Sequence, residues 1–239
     1  MIHLISYGNK LYNKAKIRLK KEAEKTNWFD SIKIYSPSDL SKEFREKYRN
    51  ILNQKRGAGY WIWKLDIIKN RLKDISDNDF LIYLDAGCSI NSKGKERFFE
   101  YIDLLKNSDE GIISFQMQHL EKIWTSKQIF HYFNLEPEKE IGNTGQYVGG
   151  ILIMKKNKKL LDLFTQYEKL LEHNKQLITD FYNKKIQNKY FKDNRHDQSI
   201  LSLLRKINGS IVIQDETWFE NFNDKKCLKY PFWATRKKK

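Results

Sequence analysis

The chain has 239 residues, of which 40% are hydrophobic and 14% aromatic. This composition fills the core of one large domain or two small ones, and it argues against global disorder. The 45 Lys and Arg residues against 30 Asp and Glu leave a net charge of +15. That charge is compatible with phosphates, polyanions or anionic membranes as partners, and equally with lysines spread over solvated faces, so it does not choose a function.

No apolar run approaches the roughly 18 residues needed to cross a bilayer, so we predict no transmembrane span. The sequence opens on an apolar strand at 2–6 and then a charged helix, which is not the pattern of a secretory leader. We therefore expect a cytoplasmic protein. Cys88 and Cys227 lie far apart and without CxxC or Cys/His spacing, so we expect two reduced thiols and no structural zinc site.

Short β-rich runs alternate with longer amphipathic segments along the chain. The runs occupy 2–7, 31–35, 79–85, 111–116, 147–154 and 210–214. Two helical segments carry one apolar stripe each. The stripes comprise Leu11, Ala15, Leu19 and Ala23 within 9–25, and Leu160, Leu161, Phe164, Tyr167 and Leu171 within 157–171. This alternation predicts an α/β fold with a mostly parallel central sheet sandwiched between helices.

Only 3 Pro and 11 Gly are present, and neither a flexible linker nor an internal repeat divides the chain. We therefore predict a single domain over 1–239 that ends in a basic tail at 236–239. Residues 174–194 are rich in Lys, Asn and aromatic side chains and fit either a helical insertion or a partly ordered loop.

The first motif with chemical content is RGAGYWIWK at 56–64, in which two glycines open a helix predicted over 60–72. Arg56 and Lys64 flank this glycine-rich start, where charged donors beside free backbone N–H groups suit a phosphate. The alternative is that the glycines form only a turn and the two Trp side chains belong to the core.

The strand over 80–84 ends in Asp85, Ala86 and Gly87. An acidic residue at the carboxyl end of a parallel strand lies where open α/β sheets bind ligands, and small residues after it leave room for one. We predict that Asp85 is the principal site residue and that it could hold Mg²⁺ or Mn²⁺ bridging to a diphosphate. The alternative is a turn former or a helix cap.

The motif RHDQS at 195–199 opens an amphipathic helix. Asp197 either caps that helix or, in a cleft, supplies with Gln198 a base or a carbonyl nucleophile for displacement at a carbon centre. His196 could instead complete a metal site with Asp85. The residue pattern alone does not separate these roles.

Gly149 and Gly150 lie inside the run YVGGILIM, which reads as one strand. Glycines within an apolar strand weaken it unless a ligand or another backbone segment must come close. They predict either a wall that lines the substrate or a β-bulge.

Taken in order, these motifs resemble the GT-A class of nucleotide-sugar glycosyltransferases, particularly the small enzymes of polysaccharide clusters and large DNA viruses. The resemblance covers about 1–236 and implies a nucleotide-binding half at 1–90 and an acceptor half at 91–235. IHLISYG resembles the family's first strand, which implies that Ser6 and Tyr7 line the donor pocket. RGAGYWIWK resembles the helix beside the donor, which implies donor contacts by Arg56, Tyr60 and Lys64.

LIYLDAGC resembles the strand that ends in the family's DxD motif, which implies that Asp85, Ala86 and Gly87 bind the donor. Because Gly87 stands at the second acidic position, a metal would need His196 or Asp197 to complete its site. Otherwise cationic side chains such as Lys64 and Arg56 would neutralise the diphosphate without a cation.

YVGGILIM resembles the strand between donor sugar and acceptor, HDQSIL resembles the acidic motif that faces the acceptor, and YPFWATR at 230–236 resembles a closing segment with a basic end. The resemblance thus implies that Gly149, Gly150 and His196 line the acceptor side. It also implies transfer of a sugar from a nucleotide-diphosphate sugar to a hydroxyl of a glycan or lipid-linked acceptor. On an inverting route Asp197 would be the general base, and on a retaining route Asp197 or Gln198 would face the anomeric carbon.

Two other classes fit part of the sequence. A nucleic-acid-binding protein would explain the charge, but zinc-finger, RRM and helix-turn-helix patterns are missing, so we expect no nucleic-acid partner. A nucleotidyltransferase on a similar sheet would consume a nucleoside triphosphate. The net charge and the basic tail further predict peripheral association with an anionic membrane that carries a lipid-linked acceptor.

Overall fold

The computed structural model describes residues 1–238, and Lys239, the last residue of the predicted basic tail, lies outside the described residues. A seven-stranded sheet lies at its centre, and a two-stranded ribbon of β4 and β9 lies apart from it. The strands are β1 (Ile2–Tyr7), β2 (Ser31–Tyr35), β3 (Phe80–Leu84), β4 (Ser89–Ile90), β5 (Ile112–Leu120), β6 (Gly145–Tyr147), β7 (Ile151–Lys155), β8 (Ile211–Gln214) and β9 (Phe232–Trp233). The helical segments are α1 (Asn13–Thr26), α2 (Lys42–Lys47), α3 (Arg49–Leu52), α4 (Gly57–Tyr60), α5 (Trp63–Asp74), α6 (Lys95–Lys106), α7 (Glu121–Trp124), α8 (Lys127–Tyr132), α9 (Lys158–His173) and α10 (Asp197–Asn208).

The strand order of the main sheet is β2-β1-β3-β7-β5-β6, with β8 on the other side of β5. β1 pairs in parallel with β2 and β3, and β8 pairs in parallel with β5. β7 runs antiparallel to β3 and β5, and β6 runs antiparallel to β5. Five of the seven strands therefore share one direction, which confirms the predicted α/β fold with a mostly parallel sheet. The division into halves at 1–90 and 91–235 stays a prediction, since β3 and β7 pair directly across it.

Alternate residues of β3 enter two separate hydrophobic clusters, because successive side chains of a strand point to opposite faces. Leu81 and Tyr83 pack with residues of α5, α9 and α10, whereas Ile82 and Leu84 pack with residues of α1 and α6. The sheet is thus covered on both faces, which explains why β3 and β7 are continuous apolar runs. Asp85 follows on the face of Tyr83, toward α5 and α10.

The two predicted helical stripes are confirmed except at one residue each. Ala15, Leu19 and Ala23 are buried in α1, but Leu11 is 78% exposed because it lies in a 3-10 turn before the helix begins. In α9 the stripe is likewise buried apart from Leu161, which faces solvent. The segment 174–194 is an irregular connection with 3-10 turns at Lys175–Ile178 and Lys184–Ile186, and not a helical insertion.

Residues 57–61 form a left-handed turn where the sequence predicted the start of a right-handed helix. The φ angles are 59° at Gly57, 51° at Ala58, 98° at Gly59, 53° at Tyr60 and 59° at Trp61. Left-handed helical geometry costs L-residues roughly 1–2 kcal/mol each, so three non-glycine residues hold strained backbone here. The predicted helix consequently begins three residues later than predicted, at Trp63.

The run YVGGILIM forms two strands and not one. β6 ends at Tyr147 and β7 begins at Ile151, so Gly149 and Gly150 lie in the connection between them. The prediction of glycines inside one continuous strand is therefore wrong. The alternative of a β-bulge agrees with the shift of register in the pairing of β6 with β5. Both cysteines are free, as predicted. Within residues 1–238, no helix has the length and apolar composition needed to cross a membrane.

Candidate functional site

Asp85 lies directly after β3, at the carboxyl end of the strand, and its side chain is 38% exposed. The hydroxyl of Tyr83 donates a hydrogen bond of 2.5 Å to Asp85 Oδ1. The backbone N–H of Asp85 donates to the carbonyl oxygen of Gly150 at 2.8 Å. These contacts hold the carboxylate at the rim of the sheet while leaving part of it accessible.

Lys64 is buried between two carboxylates, one from the end of β3 and one from α10. Its Nζ donates hydrogen bonds to Asp197 Oδ2 and, at 2.8 Å, to the carbonyl oxygen of Gly149. The same Nζ lies 3.8 Å from Asp85 Oδ1. Burial lowers the pKa of Lys64, but the charges of Asp197 and Asp85 outweigh burial and raise that pKa above its usual value.

Burial also raises the pKa of the Asp197 carboxyl, to about 6; Lys64 opposes this increase and Asp85 adds to it. Asp197 therefore binds a proton more readily than an exposed Asp does, because burial disfavours its charged form and it shares the Lys64 ammonium group with Asp85. Asp197 is the first residue of α10, and the N-cap position is taken by His196. The buried pairing of Asp197 with Lys64 goes beyond the role of a helix cap.

The two glycines of the β6–β7 connection allow the chain to pass against this group. A Cβ atom on Gly150 would lie 2.6 Å from Asp85 Oδ2, and one on Gly149 would lie 2.7 Å from the Cβ of Gln198. Gln198 Oε1 accepts a hydrogen bond from the Gly149 N–H at 3.2 Å, and its Nε2 donates to Gln146 Oε1 at 2.6 Å. The sequence predicted that a ligand or another segment comes close to these glycines. In the structure, the side chains of Asp85 and Gln198 come close to them.

The structure brings six predicted residues together, and we call them the rim cluster: Lys64, Asp85, Gly149, Gly150, Asp197 and Gln198. Asp85 and Gln198 are half-buried, whereas Lys64 and Asp197 are enclosed. The prediction that Asp197 contacts the acceptor as a base is corrected accordingly, because a carboxylate that is 4% exposed and paired with Lys64 does not face an opening.

Other predicted residues form a second group around Arg56. Its guanidinium donates to Asp180 Oδ1 at 2.8 Å and to Asp193 Oδ2 at 2.6 Å. The ring of His196 lies 4.9 Å from the ring of Tyr60, between centroids, and its Nδ1 is 2.8 Å from the carbonyl oxygen of Ile178. These contacts belong to the left-handed turn and the irregular connection, and not to the rim cluster.

Burial lowers the pKa of His196, so its ring is neutral at pH 7. A carbonyl oxygen only accepts, so Nδ1 carries the proton and Nε2 faces Asp180 Oδ1 at 3.6 Å. The ring is therefore engaged by the second group, and the predicted pairing of His196 with Asp85 at a metal is not seen. In the described part of the chain, no group of three or more His, Cys, Asp or Glu side chains is placed to hold a metal ion.

Three further predicted donor-binding residues, besides Lys64 and Tyr60, are in the interior. The side chains of Ser6 and Tyr7 are buried, and the Tyr7 ring stacks on Trp63 with 3.8 Å between centroids. Ala86 is also buried, and its carbonyl oxygen accepts a hydrogen bond from Arg18 at 3.1 Å. The prediction that these side chains line a donor pocket is corrected, because all three are buried in the core.

Several residues at the site were missed by sequence reasoning. Tyr83 precedes Asp85 by two positions, so the period of a strand would have placed both on one face. Gln146, which holds Gln198, is itself held by the buried carboxylate of Glu121 at 3.0 Å. Asp180 and Asp193, the partners of Arg56, lie in the irregular connection, where no pattern in the sequence indicates them.

No protein-family model and no curated protein matches the sequence. The chain is similar in structure to several solved structures. Mouse xyloside xylosyltransferase 1 is 11% identical, with a TM-score of 0.52 over 98% of this chain and 97% of that one. A glycosyltransferase involved in glycosylation of the major capsid of PBCV-1 is 12% identical, with a TM-score of 0.46 over 97% and 92% of the chains. The galactosyltransferase LgtC, in complex with donor and acceptor sugar analogs, is 16% identical, with a TM-score of 0.47 over 91% and 75%.

The likeness to the mouse enzyme extends over nearly the whole of both chains and confirms the predicted GT-A-like fold. At 11% identity it establishes the fold and nothing further. The activity of this chain therefore has to be argued from its own residues.

Proposed function

We propose that the chain is a glycosyltransferase that moves a sugar from a nucleotide-diphosphate sugar to a hydroxyl group of a glycan or lipid-linked acceptor. The observation that carries this proposal is the rim cluster, whose half-exposed Asp85 lies at the carboxyl end of β3 beside Lys64 and accepts a hydrogen bond from Tyr83. Ligands of open α/β sheets bind outside this end of the strands. Fold likeness to a xylosyltransferase supports the same class of reaction.

The accessible groups of the cluster suit a polyhydroxylated substrate. Asp85 is acceptor-only when ionised, so it can receive hydrogen bonds from sugar hydroxyls or the proton of an acceptor hydroxyl. Gln198 contacts the Gly149–Gly150 connection through the Gly149 N–H. On a retaining route we propose that Gln198 faces the anomeric carbon. Asp197 acts through Lys64, as a positioning residue for Asp85.

A divalent cation, predicted as Mn²⁺ or Mg²⁺, does not fit the residues present. Hard cations take several oxygen ligands, usually including one or two carboxylates. Asp85 supplies the half-exposed carboxylate of the cluster, but an ammonium group already lies 3.8 Å from it. Asp197 is engaged by Lys64, and Gly87 offers no side chain. We therefore assign no step of the reaction to a cation.

A panel of ligands tests the proposed function. We expect one nucleotide-diphosphate sugar and its nucleoside diphosphate to raise the thermal unfolding midpoint, because ligands that bind only the folded state stabilise it. At 100 times the Kd the gain is about 2.7 kcal/mol. A shift with UTP or CTP and none with UDP or GDP would instead indicate a nucleotidyltransferase. Release of the nucleoside diphosphate on addition of sugar acceptors would then identify the transfer.

Peripheral binding to an anionic membrane is part of the same proposal. Trp218 is 51% exposed, and Lys225, Lys226 and Lys229 follow it on the surface. Lysines near an anionic surface contribute about 1 kcal/mol each, and Trp is favoured at the interface. We expect co-sedimentation with anionic vesicles at low salt and none with neutral vesicles. A protein that stays in the supernatant with both would contradict membrane association.

A further inference from the structure

The basic end of the chain is anchored on the turn that follows Asp85. The Lys237 N–H and the Thr235 hydroxyl each donate a hydrogen bond of 2.9 Å to the carbonyl oxygen of Gly87. The Thr235 hydroxyl also lies 3.0 Å from Ser89 Oγ, and β9 pairs with β4 just before this segment. Residues 235–238, which we call the basic segment, are therefore held beside the rim cluster.

The backbone of the basic segment fills the space that a side chain at position 87 would need. A Cβ atom on Gly87 would lie 3.2 Å from the Cα and 3.3 Å from the carbonyl carbon of Arg236. These are backbone atoms, so a second acidic side chain at this position would require the segment to shift. In place of a second carboxylate, the chain thus presents Arg236, Lys237 and Lys238, all exposed.

Arg195 precedes α10 and lies two residues before Asp197 of the rim cluster. Its guanidinium lies 4.1 Å from the centre of the Trp124 ring. Burial and the neighbouring charge of Arg236 lower the pKa of Arg195, Asp193 opposes this decrease, and Arg56 adds to it. Arg56 forms ion pairs with Asp180 and Asp193, whereas within residues 1–238 neither Arg195 nor Arg236 lies within 4.0 Å of a carboxylate oxygen. Neighbouring like charges repel, and an anion placed between them removes that repulsion.

We infer that Arg195 and the basic segment form the binding site for the donor diphosphate, and that this site works without a divalent cation. The inference rests on the proposed function. Guanidinium groups bind phosphate oxygens through two parallel N–H donors, and fixed cations stabilise the charge that develops on a leaving group. Asp85 is then free to contact the sugar, since it does not have to hold a metal.

Calorimetric titration with inorganic pyrophosphate and with UDP and GDP, in EDTA and in Mn²⁺, tests this site. We expect pyrophosphate to bind in EDTA. Arg236→Ala and Arg195→Ala should each weaken that binding roughly tenfold or more, as expected when a charge-assisted hydrogen bond is lost. Arg45→Ala is the matched control, because Arg45 is exposed on α2. Its dissociation constant should equal that of the wild type.

Arg236 is exposed, so its replacement should leave the thermal midpoint unchanged. Arg195 packs on Trp124, so Arg195→Lys replaces Arg195→Ala if the alanine variant unfolds early. Pyrophosphate binding that requires Mn²⁺, or that is unchanged in both arginine variants, overturns this inference and leaves the proposed glycosyltransferase standing. If neither pyrophosphate nor a nucleoside diphosphate binds in either buffer, the inference and the proposed function are both wrong.

Discussion

Replacing Lys64 with Met is expected to lower the free energy of unfolding at pH 7 by about 3–5 kcal/mol, because removal of one partner leaves a buried charge uncompensated. Lys64 is 2% exposed and Asp197 is 4% exposed, so water cannot replace the lost ammonium group. Met conserves most of the apolar stem, which keeps the packing loss small. Urea unfolding followed by circular dichroism measures the difference.

The pH dependence of this loss has a definite sign. The Asp197 carboxyl has a pKa of about 6 in the folded chain and an ordinary value near 3.8 when unfolded, so the folded state holds the extra proton between those pH values. Ionisation of Asp197 therefore reduces stability as pH rises through this window. Lys64 lowers the pKa of Asp197, so its removal raises that pKa further and makes ionisation of the carboxyl more costly. The deficit of Lys64→Met should consequently be larger at pH 7.5 than at pH 5.

Two further variants separate charge from packing. Lys64→Met combined with Asp197→Leu should recover most of the stability, since apolar replacement of a whole buried ion pair is often neutral or stabilising. Lys69→Met is the matched control on the same helix, where Lys69 pairs with Glu168 near the surface. It should cost no more than about 1 kcal/mol. Equal losses for the two single variants would contradict a special role of the buried pair.

Asp85→Asn is expected to reduce the rate of sugar transfer about 10²- to 10⁴-fold, the range typical for removal of a positioned acid–base group. Asn has nearly the shape of Asp, and a side chain 38% exposed needs little repacking, so the unfolding midpoint should change little. Tyr83→Phe removes the 2.5 Å hydrogen bond to the same carboxylate and should reduce the rate less. Initial rates of nucleoside diphosphate release with the donor found by the ligand panel measure both effects.

Asp162→Asn is the matched control, because Asp162 lies exposed on α9. Its transfer rate should equal that of the wild type. A wild-type rate for Asp85→Asn, with the donor still bound, would remove Asp85 from the chemistry and with it the assignment of the rim cluster as the active site. A reduced rate in Asp197→Asn without a change in the pH profile would support the positioning role of Asp197.

Local residue patterns were sufficient for much of the fold. β1 and β2 begin and end where their apolar runs do, and Ala15, Leu19 and Ala23 are buried as their spacing predicts. The placement of Asp85 at a strand end is of the same kind. Each of these features depends on which residues are apolar within a few positions of the chain. The apolar side chains are buried whichever distant element packs on them, so the prediction does not need to know that element.

Features that depend on distant partners could not be read in this way. Gly149 and Gly150 interrupt the chain between β6 and β7, which run in the same direction against β5, and the place of that interruption depends on the register of pairing with β5. The left-handed turn at 57–61 similarly exists only because surrounding packing outweighs its strained backbone.

In the site, too, local sequence predicts some features and the tertiary structure decides others. The residue types at 64, 85, 195, 197 and 236 are evident in the sequence, and so is their capacity to carry charge. Which of them pair, and which stay unpaired, follows from the order of the strands and the path of the chain end. Charge interaction falls with distance and grows with burial, so a lysine becomes a buried ion-pair partner and an arginine a free cation only when the chain is folded.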